Sequence, residues 1–278
     1  MNKQELCQKL SIALSGYHND MEINNIANYI IAYLPLEKAS MADIKGVLYD
    51  TDFFNNLIVR LKSNEPIQYI LNQACFMGLD FYVNSHVLIP RSETEELVAW
   101  ILEIYKKDTI LKVLDIGTGS GCIAISLKKF RPHWDLTAID YSNEAIGIAH
   151  KNSAYYGINI KLIYLDFMKH ASQLKSKYDL IVSNPPYIDK SELHLVSKSV
   201  LDFEPTQALF PESDDPLIFY REIARFSMKS LNDKGSIFLE INEYYEMEIK
   251  NIFIEYGFSA VTLRNDLQNK PRMLRIQF

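Results

Sequence analysis

Over the first ~70 residues apolar side chains return at helical spacing. Leu6, Leu10, Ala13 and Leu14 share one face, and Ile23, Ile26, Ala27, Ile30 and Leu34 form a second stripe after turn residues around His18-Asn19-Asp20. Pro35 closes that helix. Ser40 is placed to cap a third over Met41 to Tyr49, with Ile44, Val47 and Leu48 inward. Thr51 or Asp52 caps a fourth, which carries Phe54, Leu57, Ile58 and Leu61. The pattern predicts a small helical bundle without a catalytic constellation, suited to packing or partner recognition. A short helix restarts at Glu65 to Ile70, and Ala74 to Met77 and Asp80 to Val83, split at Gly78, read as a hairpin. The extended run Val87-Leu88-Ile89-Pro90-Arg91 then enters a helix through Leu97, Trp100, Ile101 and Ile104, where Ser92 and Glu95 have the spacing of a capping box.

From Lys112 onward short apolar runs alternate with helical stripes, which predicts an α/β fold with a mostly parallel sheet. Strands are expected at Lys112 to Ile116, Leu136 to Asp140, Ile160 to Leu165, Leu180 to Ser183 and Ser236 to Glu240. Helices are expected over Gly121 to Phe130, Asn143 to Tyr156, Pro216 to Leu231 and Tyr244 to Tyr256, and a closing strand pair over Ala260 to Leu263 and Met273 to Ile276. The domain division is a helical domain over 1–72, a hairpin linker over 73–90 and an α/β domain over 91–278.

Composition narrows the function. The 278 residues carry a formal charge of −6, from 29 basic and 35 acidic side chains. That balance argues against gripping long nucleic acid by its phosphates. The local basic runs Lys106-Lys107 and Lys128-Lys129-Phe130-Arg131 fall at helix ends, where solvated cations are common. Cys7, Cys75 and Cys122 are scattered, without the pairing of a disulfide framework or zinc site, and no metal is expected. No apolar run approaches the ~20 residues that span a bilayer, and Met1 to Glu5 lack a leader pattern, so a cytoplasmic setting is expected.

Asp115-Ile116-Gly117-Thr118-Gly119-Ser120-Gly121 joins the first strand of the sheet to its first helix. Glycines let the backbone turn tightly and approach a ligand, and open α/β sheets bind ligands at the carboxyl ends of their strands. A dinucleotide fingerprint would place its last glycine at position 122, which is Cys122. A carboxylate at Asp115 would repel a pyrophosphate but suits a cofactor with a positive amino group, which favours S-adenosylmethionine over NAD. Asp140, ending the second strand, is placed to accept from two ribose hydroxyls. After the third strand, Phe167 can stack on an adenine and Asp166 can accept from its amine, although Asp166 is equally placed to cap a short helix.

Asn184-Pro185-Pro186-Tyr187 ends the fourth strand. The prolines fix φ and remove backbone donors, leaving the carbonyls of Asn184 and Pro185 to accept from something else. Asn184 adds a side-chain acceptor and Tyr187 a flat face. Such a group holds a planar NH2 by both protons, and beside a methyl sulfonium its use is nitrogen methylation. Accepting both N–H bonds favours the charge that develops on nitrogen.

These motifs resemble the HemK/PrmC family of protein-glutamine methyltransferases. Asn184-Pro185-Pro186-Tyr187 alone is shared with adenine and guanine N-methyltransferases. The helical N-terminal segment followed by Leu88-Ile89-Pro90-Arg91-Ser92-Glu93-Thr94-Glu95 is more particular, and Phe203-Glu204-Pro205 with Ala208-Leu209 is similar to the family's segment after the clamp. The resemblance implies a Rossmann-like, seven-stranded, mostly parallel methyltransferase sheet with a helical substrate-docking domain. It implies S-adenosylmethionine, leaving as S-adenosylhomocysteine, bound by Asp115, Gly117, Thr118, Gly119, Ser120, Gly121, Asp140, Asp166, Phe167 and Asn184. The implied substrate is the glutamine of the Gly-Gly-Gln motif in class 1 peptide chain release factors, held by Asn184, Pro185, Pro186 and Tyr187 with Arg91 and Glu93. Asn184, Pro185 and Tyr187 are the expected catalytic group; no membrane or direct nucleic-acid partner is expected. The alternative is a nucleic-acid amino-methyltransferase using the same clamp. Three departures from the family pattern, Ser92 for a proline, a glycine-poor Pro211 to Asp215 and Asn242 for a glycine, are expected to touch neither the clamp nor the glycine loop.

Overall fold

Leu6, Leu10 and Leu14 stand one helical turn apart, and that spacing buries all three on α1 (Lys3–Leu14). The computed structural model describes residues 3–33 and 51–278; the stop at Pro35 and the helix read over Met41 to Tyr49 lie outside them. α2 (Asp20–Tyr33), α3 (Thr51–Lys62) and α4 (Ile67–Leu71) complete the described helices of this segment. Ile23, Ala27, Ile30, Leu57, Ile58 and Leu61 join the α1 stripe in one core. Full burial of each such side chain contributes about 1.5–3 kcal/mol. The turn before α2 is a reciprocal capping box: Asn19 Oδ1 accepts the Glu22 N–H at 2.9 Å and Glu22 Oε2 accepts the Asn19 N–H at 2.9 Å.

Two compact units emerge, one of residues up to Gln73 with Val196–Glu204, the other of Ala74–Leu195 with Pro205–Phe278. The chain therefore leaves the second unit soon after Tyr187 and re-enters it at Pro205. Within the helical unit, Ser199 Oγ donates to the Asn64 carbonyl at 2.7 Å. The hairpin, β1 (Ala74–Phe76) and β2 (Leu79–Phe81), groups with the α/β unit and turns through Met77 and Gly78, both at positive φ.

The capping box expected at Ser92 does not form. α5 (Ser92–Ile104) has Arg91 at its N-cap, so Ser92 is already helical and its hydroxyl donates to Glu93 Oε2 at 2.9 Å. Glu95 Oε1 instead accepts the Met77 N–H at 2.5 Å, because the hairpin turn offers a donor that the helix end does not.

The larger sheet has the order β5-β4-β3-β6-β7-β9-β8, with β3 (Lys112–Ile116), β4 (Asp135–Asp140), β5 (Lys161–Tyr164), β6 (Tyr178–Ser183), β7 (Leu231–Glu240), β8 (Ala260–Asn265) and β9 (Pro271–Gln277). β9 alone runs antiparallel to both its neighbours, β7 and β8. Covering helices are α6 (Cys122–Phe130), α7 (Asn143–Tyr155), α8 (Phe167–His170), α11 (Ile218–Ser230) and α12 (Glu246–Glu255); α9 (Lys198–Phe203) and α10 (Thr206–Leu209) follow the clamp. Leu114, Ile139, Ile181, Ile237, Leu239, Phe253 and Leu274 are fully buried between the layers. This is the seven-stranded Rossmann-like methyltransferase fold. β7 begins earlier than Ser236, with an irregular register opposite Tyr178 and Leu180, and α11 is correspondingly shorter than Pro216 to Leu231.

Register positions the chemistry. Ile116 pairs with Ile139 on one side and Ser183 on the other, and Ser183 pairs with Leu239. Gly117, Asp140, Asn184 and Glu240 therefore leave adjacent strands at the same carboxyl edge. The strand order reverses between β3 and β6, the place where such sheets bind ligands. Among the described residues no helix is long and apolar enough to cross a membrane.

Candidate active site

The loop after β3 turns through positive φ at Gly117, Gly119 and Gly121. Gly117 and Thr118 donate their N–H groups to the Ile139 carbonyl at 2.9 Å, and Gly121 donates to the Thr118 carbonyl at 2.8 Å. Gly121 is a packing glycine as well: a Cβ there would lie 2.9 Å from Ile125 Cδ1 and 3.2 Å from Ala149 Cβ, whereas at Gly117 and Gly119 it would meet open space.

Asp140 holds this loop. Its Oδ2 accepts the Gly119 N–H at 2.8 Å and its Oδ1 the Ser142 N–H at 2.9 Å. Burial raises its pKa against those two amides. Each oxygen retains accepting capacity toward the cavities that Asp140 lines. Asp115 sits beneath the loop, fully buried and outside the lining of either cavity. Thr118 Oγ1 donates to its Oδ2 at 2.7 Å and its Oδ1 has no partner. Burial pushes its pKa up to about 7, opposed by the Thr118 hydroxyl and assisted by the charge of Asp140.

Two adjoining cavities open at this edge. The larger, about 290 Å³, is walled by Ile116, Ile139, Leu165, Phe167, Phe210 and Phe219, with Asp140 and Asp166 at its polar side. Phe167 is fixed edge-on to Phe226 at 5.3 Å. Asp166 is the cap of a short helix, one of the two roles foreseen for its position, and it also borders the larger cavity. Its Oδ1 caps α8 through the Lys169 N–H at 3.2 Å, and its Oδ2 pairs with Lys169 Nζ at 2.8 Å. Its slight burial works against ionisation, but the Lys169 ammonium and amide outweigh it and hold the carboxyl below its usual value.

The smaller cavity, about 120 Å³, is lined by Gly117, Thr118, Gly119 and Ser120 on one side and by Leu88, Arg91, Thr94 and Asn184 on the other. Gly117, Asp140, Pro186 and Gln207 border both cavities. Pro185 lines the larger one. Tyr187 lines neither; its ring packs against the core and its hydroxyl donates to Glu240 Oε1 at 2.9 Å. Glu93 also lies outside both linings, beside Ser92 Oγ.

Three contributors escaped the sequence reading. Asn184 Nδ2 donates to Thr94 Oγ1 at 3.0 Å, and Thr94 Oγ1 donates to Glu240 Oε2 at 2.6 Å. Tyr141, just after β4, borders both cavities. The acidic end of β7 and the threonine inside a charged helical run were the available signals, but neither forms a motif by itself. The expectation that no departure touches the clamp is corrected at Asn242. Its Nδ2 donates to the Tyr187 carbonyl at 3.1 Å and to Glu192 Oε1 at 2.7 Å, because the end of β7 runs beside the end of β6.

The methyltransferase small domain family matches residues 96–203. A release factor glutamine methyltransferase of Flavobacterium psychrophilum is 42% identical, over 96% of this chain and 95% of its own length. Another, of Enterococcus faecalis, is 34% identical over 91% of this chain and 93% of its own. A solved methyltransferase structure from Pyrococcus furiosus superposes with a TM-score of 0.53 at 19% identity, covering 80% of this chain and 98% of that one, which reports the shared fold. With such identity sustained over nearly the full length, the chain belongs to the release factor glutamine methyltransferase family.

Proposed function

We propose that the chain transfers a methyl group from S-adenosylmethionine to the side-chain amide nitrogen of the glutamine in the Gly-Gly-Gln motif of class 1 peptide chain release factors, and so modulates translation termination. The observation that carries this reading is the pairing of Ile116 with Ser183, which sets the glycine loop and the amide clamp side by side. The residues fit the methyl donor. Asp140 offers accepting oxygens for a ribose, Phe167 a fixed aromatic wall for an adenine with Asp166 at its edge, and Gly117 to Ser120 an open backbone for the amino-acid portion. The buried Asp115 adds negative charge beneath that backbone, and Asn184 closes the end nearest the clamp. When bound, S-adenosylmethionine supplies a methyl group on a positively charged sulfur.

The clamp supplies the rest. Asn184 Nδ2 is occupied by Thr94, so its Oδ1 is the atom free to accept from a substrate amide. The Pro185 carbonyl accepts the second proton. A glutamine nitrogen held by both protons has its lone pair directed out of the amide plane toward the methyl donor. As the N–C bond forms, positive charge grows on nitrogen, and both acceptors stabilise it more than they stabilise the neutral amide. The methylated nitrogen then loses a proton to solvent. Positioning of this kind is worth about 7–11 kcal/mol in favourable systems. Pro186 and Tyr187 stiffen the turn, Arg91 borders the smaller cavity beside Asn184, and the helical unit is the docking surface for the protein substrate.

Incubation with methyl-labelled S-adenosylmethionine and either a release factor or total RNA and DNA tests the reading. Label on the Gly-Gly-Gln glutamine supports it; label only in nucleic acid would overturn it in favour of an amino-methyltransferase of bases.

A further inference from the structure

The Asn184–Tyr187 turn is fastened at both ends to one carboxylate. Glu240 is 1% exposed at the end of β7, and Thr94, 3% exposed, lies in the first turn of α5. Glu240 Oε2 accepts from Thr94 Oγ1 at 2.6 Å, and Oε1 accepts from the Tyr187 hydroxyl at 2.9 Å. Thr94 Oγ1 in turn accepts from Asn184 Nδ2 at 3.0 Å. Both oxygens of the Glu240 carboxylate act as acceptors, one for Tyr187 and one for Thr94, so the single Thr94 proton points at Glu240. The lone pairs of Thr94 then face Asn184, and only the NH2 end of the Asn184 amide can meet them. The direction of the chain, amide to hydroxyl to carboxylate, thus determines which end of Asn184 is presented to the cavity.

We infer that Thr94 and Glu240 are positioning residues of the methyl-transfer site, setting the amide orientation of Asn184 so that its carbonyl oxygen, not its NH2, faces the substrate nitrogen. This deepens the proposed glutamine N-methylation and rests on it. A substrate NH2 presented to a reversed Asn184 would meet another donor and lose one of its two acceptors. Without the Thr94 hydroxyl both orientations of Asn184 become accessible, because an aliphatic side chain in its place bonds to neither end. Burial has the largest effect and raises the Glu240 carboxyl above its ordinary value; the hydroxyls of Thr94 and Tyr187 and the guanidinium of Arg272 oppose that rise, and the charge of Glu93 adds to it. Tyr220 lies on another side and donates to the Glu240 backbone carbonyl at 3.2 Å, leaving both carboxylate oxygens to the clamp.

The test is a mutational cycle in the full chain, read as kcat and KM for labelled methyl transfer to a release factor. Thr94→Val should lower kcat about 10- to 100-fold, below the effect of deleting a transition-state hydrogen bond outright. KM for S-adenosylmethionine should stay within about twofold, since Thr94 carries no uniform binding of the donor. Thr94→Ser, which keeps the hydroxyl, should restore kcat to within about threefold of the parent. On an Asn184→Ala background, Thr94→Val should change kcat by less than about twofold, because a residue acting through Asn184 has nothing left to orient. If Thr94→Val does not fold, Thr94→Ala, which leaves room for a water on Glu240, carries the same cycle. Equal effects of the Thr94 substitution with and without the Asn184 side chain, or a Thr94→Val enzyme at parental kcat, would overturn the inference. Absence of methyl transfer to release factor by the parent chain would instead refute the proposed function.

Discussion

Replacing Asp115 by asparagine should change the sign of its effect on stability with pH. In the folded chain burial raises this carboxyl from 3.8 to about 7. The native state therefore keeps its proton over a range in which the unfolded chain has lost it. The stabilising contribution is full below pH 3.8 and is lost as pH rises through about 7. About three pKa units at 1.36 kcal/mol each come to about 4 kcal/mol, the upper bound of the burden carried by ionised Asp115. Asparagine abolishes that burden. Its Oδ1 still accepts from Thr118, but its NH2 stands where the unpartnered Asp115 oxygen was, and an unpaired buried donor costs about 1–3 kcal/mol. Near pH 3, where folded and unfolded parent both keep the proton, the variant should be less stable than the parent by about 1–3 kcal/mol; near pH 5 the two should be about equal, and near pH 8 the variant should be more stable by about 2 kcal/mol. Both tryptophans, Trp100 and Trp134, are buried in the α/β unit, so urea denaturation followed by their fluorescence reports on the unit that contains Asp115. The parallel readout is calorimetric affinity for S-adenosylmethionine, which should fall in the more stable variant because the negative charge beneath the loop is gone. Parallel stability–pH curves for parent and variant would refute the reasoning.

Asn184→Ala should lower kcat by about two to three orders of magnitude with the affinity for S-adenosylmethionine changed far less, as single-turnover assays and calorimetry would show; equal turnover would remove the clamp mechanism. Gly121→Ala and Gly119→Ala should separate packing from binding. The first forces a Cβ to 2.9 Å from Ile125 at φ 82° and should destabilise the chain by about 2–4 kcal/mol. The second meets open space, so about 1–2 kcal/mol of backbone strain is expected in denaturation with a larger loss in donor affinity. Tyr187→Phe leaves one oxygen of the buried Glu240 without its partner and should cost about 1–3 kcal/mol in thermal or urea unfolding, the ring packing being kept.

Much of the fold was legible because its signals are local. The Leu6, Leu10, Leu14 stripe and the Ile23, Ala27, Ile30 stripe repeat within single helices, and the glycines of 117–121 must sit together to turn one loop. The strand ends at Asp140 and Asn184 were marked by their immediate neighbours. Local rules also misled. Ser92 and Glu95 carry capping-box spacing, yet the hairpin amide of Met77 competed for Glu95. The working box lies at Asn19 and Glu22, where Glu22 Oε2 keeps the Asn19 N–H at 2.9 Å even with the His18 ring 3.6 Å away.

Which residues complete the site was decided by tertiary structure. Thr94 and Glu240 are separated by 146 positions, and Thr94 and Asn184 by 90, distances over which no periodicity carries information. Only the register of β3, β6 and β7, with α5 laid against their carboxyl edge, brings them within hydrogen-bond reach. The same register puts the Asn242 amide on the Tyr187 carbonyl and leaves Asp115 buried beneath the loop rather than exposed in the cavity. The sequence by itself determined the groups available, a carboxamide beside two prolines and a glycine turn, because those depend on covalent structure and neighbouring φ angles. Their orientation was decided by packing, because a hydrogen bond acquires direction from the partner the fold supplies.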